Sequence, residues 1–423
     1  MIRTRAAYTL LLYFLLPFVL LRLFWRARKQ PGYRRHIAER FGRYRIERAR
    51  AKPILWLHAV SVGETRACAP LISALKARYP GHQILLTHMT PTGRETGMQL
   101  FGEGVMRCYL PYDLPFAVRG FLAYFKPALG MLMETEIWIN LIHSCHEQKI
   151  PLALINARLS EKSAAGYARH SALVHEALSK LATVSAQTTA DAQRLENLGA
   201  ANVAVCGNLK FDVLTPSHML ELGARLRESF GADRPVWLAA STRDGEEALL
   251  LDRLDEVAVP GALAVIVPRH PQRFADVAAL LRSRRIPFQR RSENRPIEAA
   301  TRIVLGDSMG EMLAYYAACD VPFIAGSLLP FGGQNLIEAC AVGKAVLVGP
   351  HMHNFAEATR LAVQGGAAIQ VADPHQLVQQ VTRLLQDATV RQAMGNAALD
   401  FAKQGKGATQ CVLQLMGKLL PPQ

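Results

Sequence analysis

The 423-residue chain is expected to be an α/β protein built on two doubly wound parallel sheets, and three observations predict it. From residue 53 onward, short aliphatic runs alternate with longer amphipathic stretches, the pattern of parallel strands covered by helices. That series is punctuated at Thr215-Pro216-Ser217 and then starts afresh, which suits a linker between two domains. Half of the residues are hydrophobic and a fifth are charged, enough apolar material for two cores and too much for disorder.

The first element is of another kind. "AAYTLLLYFLLPFVLL", Ala6 to Leu21, is followed by "RLFW", and together they make 20 residues, the length of a membrane-crossing helix. Residues 1–50 hold 13 Arg and Lys against two acids, Glu39 and Glu47, so they carry +11 of the formal +15. The basic character is therefore local, and nucleic acid is not an expected partner. Positive charge crowded after the apolar run places the body on the cytoplasmic side, with the N-terminus outside or embedded. A cleaved signal peptide would carry its charge first and end in a small-residue site, which is missing here. The competing reading is a hydrophobic helix of a soluble core, and Pro17 leaves a half-inserted anchor open. The expected domains are an anchor with its basic flank (1–30), a first sheet domain (31–213) and a second (214–423).

The strands of the first domain are expected in "ILWLHAV", "HQILLTHM", "VMRCYLPY", "ALGMLMET", "IPLALINA", "LATVSA" and "NVAVCGN". Polar residues gather where these runs end: Ser61 and Glu64, Thr90 and Arg94, Asp113, Glu134 and Glu136, Asn156 and Arg158, Ser185, then Asn208 and Lys210. Open α/β sheets bind ligands outside the carboxyl ends of their strands, so chemistry is expected there. Glu64 has two readings, an acid favoured by the dipole at a helix start or a base at the mouth of a pocket.

The second series reads "PVWLAAST", "GALAVIVPRH", "TRIVLGDS", "CDVPFIAGS", "KAVLVGPH" and "AAIQVAD". Neither series opens with G-x-G-x-x-G, and no G-x-x-x-x-G-K-[ST] loop occurs, which argues against dinucleotide and ATP-loop chemistry. A different anion device is present. "GSLLPFGGQNLIEA" runs from a strand end through Gly332 and Gly333 into a helix bearing Asn335 and Glu338. Such glycines let backbone approach a ligand, and a helix start offers free N–H groups to an anion. Arg269 in "VPRH" can pair with phosphate, and Gly310 with Glu311 marks another strand-to-helix entry. Three such loops on one sheet point to a nucleotide. The seven cysteines are scattered without a C-x-x-C pair, and most read as reduced core residues. "HSCH" and "HMH" lack partners at zinc spacing, so no metal is expected.

Taken together, "LHAVSVGE", "THMTPTGRETG", "YLPYD", "METEIW", "NARLS", "GNLKFD", "VPRHPQRF", "LGDSMGEM" and "GGQNLIEA" resemble the 3-deoxy-D-manno-octulosonic acid (Kdo) transferase family, in the same order along the chain to about residue 400. The resemblance implies a GT-B glycosyltransferase, with two Rossmann-like domains facing across a cleft and an N-terminal anchor. It implies CMP-Kdo as donor, lipid IVA as acceptor, the bacterial inner membrane as location and no metal cofactor. It makes Glu64 the catalytic base and assigns nucleotide contacts to Pro268, Arg269, Met309, Gly310, Glu311, Asn335, Leu336, Ile337 and Glu338. Arg94, Glu134, Glu136, Arg158 and Lys210 become candidates for the Kdo carboxylate or the acceptor. Gln334 stands where members often carry His, and Ile139 where Pro commonly follows the Trp. Two competing functions are a sugar-nucleotide 2-epimerase of the same architecture and a non-enzymatic membrane adaptor.

Overall fold

The computed structural model describes residues 4–46, 52–212 and 215–421; the expected domain junction at residues 213 and 214 and the acid at Glu47 lie outside the described residues. The apolar N-terminal run forms helix α1 (Arg5–Lys29), which starts at Thr4, whose hydroxyl accepts the Ala7 N–H at 3.3 Å. It is long and apolar enough to cross a membrane. It also packs on the fold that follows. The Tyr8 hydroxyl donates to Asp113 at 2.9 Å, and the Arg5 guanidinium reaches Asn140 at 3.0 Å and Glu147 at 2.6 Å.

Seven aliphatic runs become the strands of the first sheet: β1 (Ile54–His58), β2 (Gln83–His88), β3 (Met106–Tyr109), β4 (Leu129–Met133), β5 (Leu152–Ala157), β6 (Thr183–Ala186) and β7 (Val203–Val205). All pairs are parallel, in the order β3-β2-β1-β4-β5-β6-β7. Residues of β1 and β4 are buried throughout, because helices cover both faces and leave neither to solvent. The two faces alternate along the strand. Trp56 joins Phe121 and Leu154 on one side, while Leu55 and Leu57 join Met131 on the other. The strand order reverses between β1 and β4. Beyond β1 come α2 (Val62–Ala67) and α3 (Ala69–Arg78), beyond β2 comes α4 (Pro91–Phe101), and α5 (Pro115–Phe125) and α6 (Ile139–Glu147) follow β3 and β4.

The second sheet contains β8 (Val236–Thr242), β9 (Leu263–Pro268), β10 (Phe288–Arg290), β11 (Ile303–Leu305), β12 (Val321–Ile324), β13 (Val346–Val348) and β14 (Ala368–Gln370). It too is parallel, in the order β10-β11-β9-β8-β12-β13-β14, and reverses between β8 and β12. Its core holds Trp237, Ile266, Phe323 and Leu347.

The chain divides into one unit of residues 1–212 and 405–423 and another of residues 213–404. This corrects the expected assignment of the whole C-terminal half to the second domain. The helix Ala408–Leu419 buries Val412, Leu413 and Met416 in the first core, in the same apolar cluster as Leu71 and Leu75 of α3. Its start is tied there by Asp212, whose carboxylate accepts the backbone N–H groups of Gly407 (2.7 Å) and Thr409. Five cysteines are buried and free, as most were expected to be, whereas Cys206 and Cys411 form a disulfide within the first unit.

Candidate active site

At the end of β1 the chain turns into α2, and Ser61 caps that helix. The Ser61 hydroxyl donates to the Glu64 carboxylate at 2.7 Å and accepts the Glu64 N–H at 3.4 Å, while the other Glu64 oxygen accepts the Val60 N–H at 2.8 Å. This is a reciprocal cap of the Ser-x-x-Glu kind, so the helix-start reading of Glu64 is realised. The residue is nevertheless only 9 % exposed. Burial and the neighbouring Glu134 push its carboxyl up to about 7, with Glu136 adding to the rise and the Ser61 and Val60 hydrogen bonds opposing it. A carboxyl that titrates near neutrality can take up a proton at working pH, so capping and base chemistry are compatible in one side chain.

The strand-order reversal explains why carboxylates meet here. Glu64 follows β1 and the pair Glu134 and Glu136 follows β4, its neighbour across the reversal. Glu134 lies 3.3 Å from the Lys210 ammonium. Glu136 accepts the Trp138 indole N–H at 2.6 Å and sits 3.9 Å from the Nε2 atom of His58. Burial raises the Glu136 carboxyl above its ordinary range, the Trp138 bond opposes this and Glu134 adds to it. His58 is fully buried, and burial with the neighbouring His88 pushes its ring down to about 3, so it is neutral. Its Nδ1 atom bonds Thr87 and its Nε2 atom has no hydrogen-bond partner. His58 was passed over in the sequence because it sits inside an apolar run.

The backbone is strained around these ends. Glu134, Asn156 and, in the second unit, Ser241 have φ of 60°, 52° and 62°, values costly for residues with a Cβ and common where function over-determines the local geometry. Register shifts in the β5–β6 and β8–β9 pairs fall at Asn156 and Ser241. The Asn156 side chain accepts the Leu209 N–H at 2.9 Å, while its buried Nδ2 atom is left unpaired.

Two further candidates make contacts of their own. The Arg94 guanidinium is held by buried Glu39 at 2.7 Å and lies over the Tyr109 ring at 5.2 Å, tying α4 to the turn Ile37–Phe41. Arg158 is exposed, and its carbonyl accepts the Thr135 hydroxyl at 3.0 Å, which links the loops after β4 and β5.

In the second unit Pro268 closes β9, and the Arg269 N–H bonds the Thr242 carbonyl at 3.0 Å. Tyr316 is buried, and burial with the charge of Glu338 pushes its hydroxyl up while Arg269 opposes the rise. The Asn335 side chain accepts the Ile337 N–H at 3.1 Å and donates to Glu338 at 3.1 Å, orienting that carboxylate at the start of the helix Ile337–Ala341. Leu336 and Ile337 are fully buried, so only their backbone is available to a ligand. Met309 is exposed, Gly310 has φ of 82°, and Glu311 accepts the Ser308 hydroxyl at 2.6 Å beside Arg291 at 3.3 Å. Gly332 and Gly333 have φ of 93° and 75°, and a Cβ on either would run into Asn354 or Met352.

Sequence reasoning missed the residue that organises this loop. Glu246, fully buried after β8, accepts the backbone N–H groups of Arg243, Gly326, Ser327 and Leu328 at 2.6–3.0 Å. It joins the ends of β8 and β12 across the second reversal, and the Gly333 N–H then closes the loop on the Gly326 carbonyl at 2.7 Å.

Residues 35–213 match the family model described as 3-deoxy-D-manno-octulosonic-acid transferase (kdotransferase), and residues 282–401 match that of glycosyl transferases group 1. A 3-deoxy-D-manno-octulosonic acid transferase of Bordetella pertussis is 42 % identical over 97 % of this chain and 98 % of its own length. One of Haemophilus influenzae is 37 % identical over the same shares. Among solved structures, a UDP-GlcNAc 2-epimerase from Neisseria meningitidis superposes with a TM-score of 0.58 at 17 % identity, covering 86 % of this chain and all of its own. A glycosyltransferase from Rickettsia africae does so with 0.56 at 14 % identity, over 88 % of this chain and all of its own. At such identities the likeness is one of fold, two α/β units of the GT-B type.

Proposed function

The chain belongs to the 3-deoxy-D-manno-octulosonic acid transferase family, and from that premise we propose that it moves Kdo from CMP-Kdo to lipid IVA with inversion, Glu64 serving as general base. The observation that carries this reading is the Glu64 carboxyl, buried at the strand-order reversal beside two further carboxylates and raised to about 7. Inverting sugar transfer needs a base to take the acceptor hydroxyl proton while the leaving group departs from the opposite face. Ser61 and Val60 fix the orientation of that base. Lys210 supplies positive charge beside Glu134, suited to the Kdo carboxylate or an acceptor phosphate.

The leaving CMP develops charge on its phosphate. Arg269 and the backbone N–H groups around Asn335 are the stabilising groups in this reading, with Glu338 on the ribose and no metal required. Arg269→Ala and Glu338→Ala are each expected to weaken CMP binding measured by calorimetry, the first through the anion and the second through the sugar. A chelator is expected to leave turnover unchanged; activity abolished by EDTA and restored by a divalent ion overturns the metal-free mechanism. The body lies on the cytoplasmic side of the inner membrane, where the basic flank of α1 meets anionic headgroups. Incubating the protein with CMP-Kdo and tetra-acylated lipid A precursor and weighing the product tests the whole reading. A mass gain of one or more Kdo units supports it, and an unchanged acceptor sinks it.

A further inference from the structure

A helix of this length and composition suggests a membrane crossing, yet its contacts describe another geometry. Along α1 one stripe, Tyr8, Leu12, Leu16, Leu20, Leu23 and Ala27, recurs every three or four residues and is half-buried at its start and buried at its end. The opposite stripe, Leu10, Phe14, Phe18, Leu21 and Trp25, is 61–71 % exposed. The helix is thus partly screened along one line and open along the other.

Both ends are fastened to the same unit. At the start, Tyr8 bonds Asp113, Arg5 bonds Asn140 and Glu147, and the Thr9 hydroxyl lies 3.2 Å from the Asn140 side-chain oxygen Oδ1. Asp113 and Asn140 are themselves buried, with Asp113 accepting the N–H groups of Asn140 and Leu141. In the middle, Tyr13 stacks on Phe116 of α5 at 6.4 Å. Near the end, Leu23 and Ala27 pack on Tyr33 and Ile37, and Arg26 lies over the Tyr33 ring at 4.9 Å.

From Arg5 to Ala27 the helix runs about 33 Å at 1.5 Å per residue, comparable with a hydrocarbon core of about 30 Å. Crossing the bilayer would carry the Arg5 end to the far side, together with the folded residues that hold it or at the loss of every bond to them. We propose that α1 does not cross the membrane but lies in its plane, docked on the first unit, with the Leu10–Phe14–Phe18–Leu21–Trp25 face sunk into one leaflet. The occupant of that face is a bilayer bearing anionic headgroups. The face has no charged side chain between Leu10 and Leu21, while Arg22, Arg26, Arg28, Arg34 and Arg35 stand exposed around the end of the helix. Apolar face and basic border together are the pattern of an interfacial helix. The proposal rests on the membrane placement given above and changes its topology: the N-terminus stays on the same side as the body.

Two measurements on the full-length protein test this. A cysteine-bearing tag ahead of the first residue and a body marker, Glu103→Cys at an exposed site, are probed with a membrane-impermeant maleimide in spheroplasts and in inverted vesicles. Tag and marker are expected to react in the same preparation, the inverted vesicles. A tag that reacts from the side opposite the marker overturns the in-plane helix. If both react in spheroplasts, the cytoplasmic placement fails while the in-plane geometry stands. In vesicles of phosphatidylethanolamine and phosphatidylglycerol, spin labels at Leu10→Cys and Leu21→Cys are expected at one shared depth, whereas a crossing helix separates them by about 16 Å along the normal. Protein that stays in the supernatant, or that pairs with a second copy through this face, also overturns the proposal.

Discussion

Glu64→Gln is expected to lower transfer at least about a hundredfold, the usual scale of general base catalysis, while CMP binding stays near that of the parent protein. Gln keeps the size of the side chain and one oxygen to accept the Val60 N–H, but it cannot take the acceptor proton. The pH profile gives a second readout. With its carboxyl raised from 4.5 to about 7, Glu64 favours the folded state when protonated. That stabilisation is complete below about pH 4.5 and is lost as the pH rises through 7, because burial then opposes the charge. The base form appears over the same interval, so the acidic limb of kcat/KM is expected to bend near 7. The Gln variant is expected to lose this part of the pH dependence of stability. A variant that is fully active but less stable would leave Glu64 as a cap alone.

Glu246→Ala is expected to destabilise the second unit by roughly 3 kcal/mol or more, since buried donors left unpaired cost about 1–3 kcal/mol each. Four backbone N–H groups lose their acceptor, three of them in the loop that leads through Gly332 and Gly333 to Asn335. CMP affinity is expected to fall with it, although Glu246 makes no contact assigned to the nucleotide. Urea unfolding followed by a probe in the second unit, together with calorimetry, measures both losses. An unfolding free energy within 1 kcal/mol of the parent would show that the loop is held by other contacts.

Much of this arrangement is legible in the chain, and the exceptions have a common cause. Aliphatic runs of strand length separated by amphipathic stretches place both sheets, and a polar residue at the end of each run locates Glu64, Glu134 and Lys210 before any coordinates. Those features are local. The tie of Arg94 to Glu39 could not be read, because that partner lies 55 residues earlier in a short turn with no periodic pattern. Glu246 is one of two acids at a helix start, and only the crossing of β12 beside β8 buries it. His58 was hidden by its apolar neighbours. The helix Ala408–Leu419 is amphipathic and fits either core equally well on paper; which sheet it covers is decided by contacts across the whole chain.

That last helix has a consequence for how the molecule is made. The first unit is interrupted at Asp212 and completed by residues 405–423, so its core gains Val412, Leu413 and Met416 only after the second unit has been translated in full. The first unit has all its strands by residue 205 but waits, with the α3 side of its core open, until the second unit has been made. A released chain truncated after residue 404 should therefore carry a settled second unit beside an unfinished first one.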